Sequence, residues 1–332
     1  MSSRTNYSID SLRAIAIFFV VLLHIDALKP GPDASVLFLL WRDLWRIAVP
    51  FFFATSAYFF ARKLSNPKPE TRPVRQILLR LSLIYVVWSV FHLVNLPDIT
   101  TMLSQTASPR AFYWSLAAHF HRAINHVQAD LPRFILTGGT YHLWFIPALM
   151  FGLAIVAAAI RLHLSRWLLA IAVLIHIADS YYLNFWQENF LVALVSCAIG
   201  LQLQQIRDIR ISHAVLLLLT GAVINIYLTL ALLIDDSQTS IAYGPGTLLM
   251  TTGLLMLALA RPNFGISTWL PKIGAYTLGI YVIHPLFDQY LSGLPYWQGA
   301  SGISALALTI FAASLFFVYT LSRIVPIRPL VV

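Results

Sequence analysis

Stretches of about twenty residues with almost no charge recur from one end of this chain to the other, and nothing else in it limits the fold so severely. They lie near 9–28, 36–61, 76–96, 142–160, 167–185, 189–206, 212–234, 245–260, 273–292 and 302–323. A helix of about twenty mostly apolar residues crosses a hydrocarbon core of about 30 Å. The run at 36–61 is long and polar in its first third, and the one at 245–260 is short. Charged residues make up 11% of the 332 and apolar residues 59%, where a soluble domain carries about 25% charge. There is too little polar surface to cover a water-soluble globule, and the chain is far too apolar for intrinsic disorder. Strand-like alternation is missing, which argues against a β-barrel. The sequence therefore reads as all-α: a polytopic membrane helix bundle of about ten transmembrane helices, filling a single domain over residues 1–332.

The basic residues orient this bundle. With the first residue on the cytoplasmic side, the inner segments hold Arg4, then Arg62, Lys63, Lys68, Arg72, Arg75 and Arg80, and at each later inner turn another pair of cations. The outer segments hold just Lys29, Arg110, Arg122 and Arg133. Cytoplasmic loops are enriched in Lys and Arg, so both termini are expected in the cytoplasm. The same bias accounts for a net charge of +9 without a nucleic-acid partner. Asp10, Arg13, His24 and Asp26 interrupt the first apolar run, so it does not read as a cleaved signal peptide. The longest outer segment, 97–141, contains a stretch from Trp114 to His126 patterned as an amphipathic helix on the membrane surface.

Ionisable groups inside a bilayer are costly and mark function by default. Arg13 and His24 stand eleven residues apart, three turns plus about 20°, so they share a helix face about 16 Å apart along the axis. Asp10 lies near the same stripe. On the expected orientation, a cation marks the inner mouth and an imidazole the outer third of one polar stripe.

These residues resemble the opening of the acyltransferase 3 family of integral membrane acyltransferases, whose hallmark is an arginine, ten residues and a histidine. Ser8 to Ala16 followed by His24 carries that likeness. The segment Ala48 to Phe59 (AVPFFFATSAYF) resembles the second-helix motif, with Ala48 and Ala57 where glycine is usual. His142-Leu143-Trp144-Phe145 resembles the start of the fourth helix, and Thr277 to Pro285 the penultimate helix. The resemblance runs in order through nearly the whole chain. It implies transfer of an acyl group, usually acetyl from acetyl-CoA, to a hydroxyl of an envelope or exported glycan, by a multi-pass protein of the bacterial cytoplasmic membrane. It also implies that the chain completes the transfer itself or hands over to a separate partner, since no extracytoplasmic hydrolase-like domain is fused to it.

In that setting Arg13 is expected to hold a CoA phosphate by bidentate hydrogen bonds, with Arg75 and Arg80 as auxiliary contacts. His24 is expected to act as general base on the acceptor hydroxyl or as a transient acyl carrier. Asp10, Arg46, Ser56, His142 and Trp144 are the substrate-binding candidates. Asp43 and Arg46 are spaced to pair on one helix face. His119 and His126 share a helix face while His121 does not, and no carboxylate or cysteine is suitably spaced nearby, so no metal site is expected. Asn225, His176 and His284 are candidate cavity residues. Cys197, the single cysteine, reads as packing. The competing class is a secondary transporter, for which ten helices with polar residues at membrane depth also serve. The residues leave the acyl length, the modified hydroxyl and the oligomeric state open.

Overall fold

A computed structural model describes residues 6–25, 36–65, 72–94, 96–105, 108–138, 141–178, 188–234, 243–294, 296–297, 299–325 and 328–331. All regular structure among them is helical. In chain order the helices are α1 (Tyr7–His24), α2 (Val36–Arg46), α3 (Ala48–Leu64), α4 (Arg72–Val94), α5 (Leu96–Gln105), α6 (Pro109–Ala129) and α7 (Leu131–Thr137). After a 3₁₀ turn (Tyr141–Trp144) come α8 (Phe145–Arg161), α9 (Ser165–Ala178), α10 (Glu188–Gln205), α11 (Ile211–Ile234) and α12 (Pro245–Ala260). The chain closes with α13 (Leu270–Gly274), α14 (Thr277–Leu291), α15 (Gly299–Ser322) and α16 (Arg328–Val331).

Among the described residues, six segments are long and apolar enough to cross a membrane: Tyr7–His24, Phe38–Leu64, Val74–Ser104, His142–Arg161, Ile211–Ala231 and Gly302–Ser322. Three shorter apolar helices, Ser165–Ala178, Phe190–Gln205 and Pro245–Ala260, stand among them. The structure thus gives a multi-pass helical membrane protein, with six full-length spans where the sequence counts about ten. The difference is one of length. The described part of α9 has 14 residues and α12 has 16, or about 21 and 24 Å at 1.5 Å per residue.

The outside of the bundle is apolar. Val86 and Val90 on α4, Leu216, Leu219 and Val223 on α11 and Phe316 on α15 are all exposed, while Ser11, Thr251, His284 and Ser314 are buried. A chain that faces lipid turns its polar side chains inward, and this is the observed distribution.

Local chemistry sets the elements. Asn6 caps α1, its side-chain oxygen accepting the Ile9 amide at 3.0 Å. The same end is tied to the end of α12, with the Ser8 amide donating to the Pro262 carbonyl at 3.2 Å and the Ser8 hydroxyl to Arg261. The long apolar run after residue 36 breaks at Ile47 into α2 and α3. Pro50 has no amide hydrogen to return to the carbonyl four residues earlier, at Arg46, so the ladder cannot run through. The segment 97–141, expected to hold one surface helix, forms three: α5, α6 and α7.

Helices α3 and α10 pack so closely that a Cβ on Gly200 would sit 2.1 Å from the Ala54 carbonyl oxygen. Small residues at such seams let backbones approach. Helix α13 packs on α1 in the same way, with Gly274 against the Asp10 backbone. Together these contacts hold α1 in the centre, between α3, α12, α13 and α14.

Candidate active site

Arg13 stands on the inward face of α1. Its Nη2 donates to Thr277 Oγ1 at 3.1 Å, and that hydroxyl donates to the Gly274 carbonyl at 3.2 Å. Asp10 Oδ1 lies 3.6 Å from the Arg13 guanidinium. Thr277 opens α14, so the guanidinium joins two helices where the bundle begins.

A cavity of about 320 Å³ starts here. Arg13, Lys63 and Thr277 line its first end, and Val20, Val49, Phe145 and Tyr281 its far end. From Lys63 back to Val49 along α3 is fourteen residues, about 21 Å of helix. Apart from Ser56, the wall between the two ends is apolar: Ile17 from α1, Phe52 and Phe60 from α3, Leu81 from α4 and Leu149 from α8. The expectation of a continuous polar stripe is corrected accordingly. Arg13, Ile17, Val20 and His24 do share one face, but its middle is aliphatic.

Just past the far end, four imidazoles converge from four parts of the chain. The His24 ring centroid lies 5.0 Å from that of His284 and 6.3 Å from that of His142. His142 lies 4.9 Å from His92 and 5.6 Å from His284. His284 is fully buried, His142 and His92 nearly so, and His24 partly exposed.

Backbone carbonyls fix the rings, and because a carbonyl only accepts, they also fix the tautomers. His24 Nδ1–H donates to the Val20 carbonyl at 2.8 Å, which leaves the lone pair of the neutral ring on Nε2. The proline after His284 explains the next ring. Pro285 sits inside α14 and has no amide hydrogen for the Tyr281 carbonyl. His284 Nδ1–H supplies the missing donor at 2.8 Å, so its lone pair is also on Nε2. His92 Nε2–H donates to the next carbonyl, that of Val282, at 2.7 Å. The proline turn of α14 is thus the anchor for two of the four histidines. Tyr281 joins cavity and cluster: its ring lines the cavity, and its hydroxyl donates to the His142 carbonyl.

Over residues 6–323 the chain matches the acyltransferase 3 profile, described as an acyltransferase domain. It belongs to the acyltransferase 3 family. Fold and family together make it a multi-pass helical membrane protein of that family. A serine/alanine racemase from Enterococcus gallinarum is 28% identical over 191 residues, which cover 55% of this chain and 24% of that protein. The match therefore takes in about a quarter of the relative's length. No solved structure matches.

Seen as an acyltransferase 3 protein, the chain brings some of the expected residues together and leaves others apart. Arg13 and Ser56 line the cavity, and His24 and His142 lie in the histidine cluster. Asp10 pairs with Arg13. Arg75 and Arg80 do not line the cavity. Ile77 and Leu81 of the same helix do, and from the centre of that face Arg75 is turned by about 140° and Arg80 by about 80°. Arg80 Nε instead donates to the Pro329 carbonyl at 3.2 Å. The second cation in the lining is Lys63.

Arg46 is buried and paired with Asp43 at 2.9 Å, and Asp43 also accepts from the Thr229 hydroxyl at 2.6 Å. This network ties α2 to α11, away from the cavity lining. The Trp144 ring packs on Phe53, centroids 6.1 Å apart. Asn225 donates to Thr247 Oγ1 at 3.2 Å between α11 and α12, and neither it nor His176 lines the cavity. Cys197 is buried with its sulfur against the position a Cβ on Gly152 would take, a packing role.

Asp26 and the side chain of His126 lie outside the described residues. His119 Nε2 faces the Val94 carbonyl at 3.1 Å, and His121 is exposed. Among the described residues no group of three or more histidines, cysteines or carboxylates is set to hold a metal.

Lys63 and His92 escaped the sequence reading, although both carry a signal. Lys63 extends the stripe Val49, Phe52, Ser56, Phe60 by one more helical step. His92 stands eleven residues beyond Leu81, the same interval that links Arg13 to His24.

Proposed function

We propose that this protein moves an acetyl group from cytoplasmic acetyl-CoA to a hydroxyl of an envelope or exported glycan. One observation carries the reading: a cavity with two cations at one end and apolar walls stops beside a cluster of histidines. CoA has the matching chemistry, an anionic nucleotide joined to a long thin arm that ends in the thioester. In this reading Arg13 and Lys63 hold phosphate oxygens, and Thr277 keeps the Arg13 guanidinium aimed. The arm runs between Ile17, Ser56, Leu81 and Leu149. The enrichment of basic residues in the inner loops supports a cytoplasmic position for this end of the bundle. His24, at the other end of α1, meets the acceptor from the opposite side.

The chemistry assigned to His24 follows from its tautomer. With Nδ1–H held by the Val20 carbonyl, the Nε2 lone pair takes the proton of the acceptor hydroxyl as that oxygen attacks the thioester carbon. The carbon–sulfur bond breaks, and the proton then passes from His24 to the departing CoA sulfur. Oriented acid–base groups of this kind contribute about 10²–10⁴-fold to rate.

The test is purified protein in lipid nanodiscs with radiolabelled acetyl-CoA. His24→Ala is expected to bind CoA and unfold as the wild type does while releasing no labelled acetyl group. Turnover by that variant above about a tenth of the wild-type rate refutes the role of His24.

A further inference from the structure

Acyl transfer to a hydroxyl passes through a tetrahedral intermediate in which the carbonyl oxygen becomes an anion. In a site closed to water that oxygen needs a fixed donor. Three of the four histidines do not provide one while they are neutral, because the donor hydrogens of His24, His92 and His284 already point at the carbonyls of Val20, Val282 and Tyr281, and His142 is not among the residues that line the cavity. Arg13, Lys63 and Thr277 are at the wrong end of the cavity, and Ser56 lies partway along α3. One lining residue at the far end carries a polar group, Tyr281.

Its surroundings suit the task. The Tyr281 ring is 5.3 Å from Phe145, which closes the same end, 5.6 Å from His142 and 6.2 Å from His284. The ring belongs to α14, one turn beyond Thr277, so it is held by the same helix that aims Arg13. The hydroxyl rests on the His142 carbonyl. A phenol hydrogen leaves such a partner by rotation about its own C–O bond, with no movement of backbone or ring.

We infer that Tyr281 is a catalytic residue, whose hydroxyl turns from the His142 carbonyl to the thioester oxygen and stabilises the oxyanion. The inference rests on the acyl-transfer reading and adds a residue to it. The acceptor O–H bond breaks as His24 Nε2 takes the proton, and the new C–O bond forms. The carbonyl π pair moves to the oxygen that Tyr281 holds. Collapse of the intermediate restores C=O, breaks C–S and expels the CoA sulfur, which takes the proton from His24. Tyr281 keeps its own proton throughout.

The experiment follows free thiol released from acetyl-CoA by the full chain in nanodiscs, with glycerol as the hydroxyl probe. CoA binding is measured separately by calorimetry. Tyr281→Phe keeps the ring and removes the hydroxyl. The expected result is a fall in kcat of about 10²-fold, with CoA affinity unchanged within threefold. A purely structural tyrosine predicts the reverse, weakened CoA binding and an earlier thermal transition with kcat per folded molecule preserved, and that result overturns the assignment.

Should Tyr281→Phe fail to fold, 3-fluorotyrosine at position 281 keeps both the ring and the His142 contact while making the phenol a stronger donor. A kcat that does not move with that substitution also overturns the role. His24→Ala, run beside it, separates the two levels. Thiol release lost in His24→Ala but intact in Tyr281→Phe refutes the tyrosine and spares the acyl-transfer reading. A wild-type chain that neither binds acetyl-CoA nor releases thiol refutes both.

Discussion

Lys63→Met separates the cavity from the basic loop that follows it. Lys63 lines the cavity mouth together with Arg13, yet its side chain is exposed and pairs with no described carboxylate. Its removal is therefore expected to leave unfolding unchanged within about 0.5 kcal/mol, as for other exposed positions. An exposed ion pair is worth about 0–1 kcal/mol, and a charge-assisted bond to a phosphate in a partly closed mouth lies at the top of that range or above it. A loss of about 1 kcal/mol corresponds to about a fivefold weaker Kd for CoA.

Calorimetric titration of CoA into the wild type, Lys63→Met and Arg75→Met makes the comparison, at two salt concentrations. Screening reduces the Lys63 contribution as salt rises. Arg75, also a cation and twelve residues further on, is turned away from the lining and is expected to change Kd by less than twofold. A fivefold loss in Arg75→Met with none in Lys63→Met would mean that the donor binds outside this cavity.

Two further substitutions probe the frame around the site. Gly200→Ala places a Cβ 2.1 Å from the Ala54 carbonyl oxygen, so α3 and α10 must separate; thermal unfolding in detergent is expected to show a loss of about 3 kcal/mol, and unchanged stability would place the two helices further apart. His284→Asn keeps an N–H near the Tyr281 carbonyl that Pro285 leaves open, whereas His284→Leu removes it. Leu is expected to be about 1–3 kcal/mol less stable than Asn, and equal unfolding of the two denies the capping role of His284.

What could be read from the sequence was whatever repeats with the helical period. The spacing of Arg13 and His24 places both on one face before any neighbour is known, and the structure turns that face inward. The apolar runs give the bundle for the same reason. Choosing among cations at helix ends is a different problem. Lys63, Arg75 and Arg80 all sit where orientation alone predicts positive charge, and only the packing of α1, α3 and α4 decides which one faces the cavity. His92 is hidden by its setting, a single histidine in an apolar helix whose partner carbonyl is 190 residues away. The break at Ile47 was written in Pro50, though a hydropathy profile runs smoothly across it.

The aromatic end of the cavity also sorts what can reach it. Among the described residues the recess ends on Phe145 and Tyr281 behind a wall whose one polar side chain is Ser56, so a hydrated group must shed its water to enter while a slender apolar one does so at little cost.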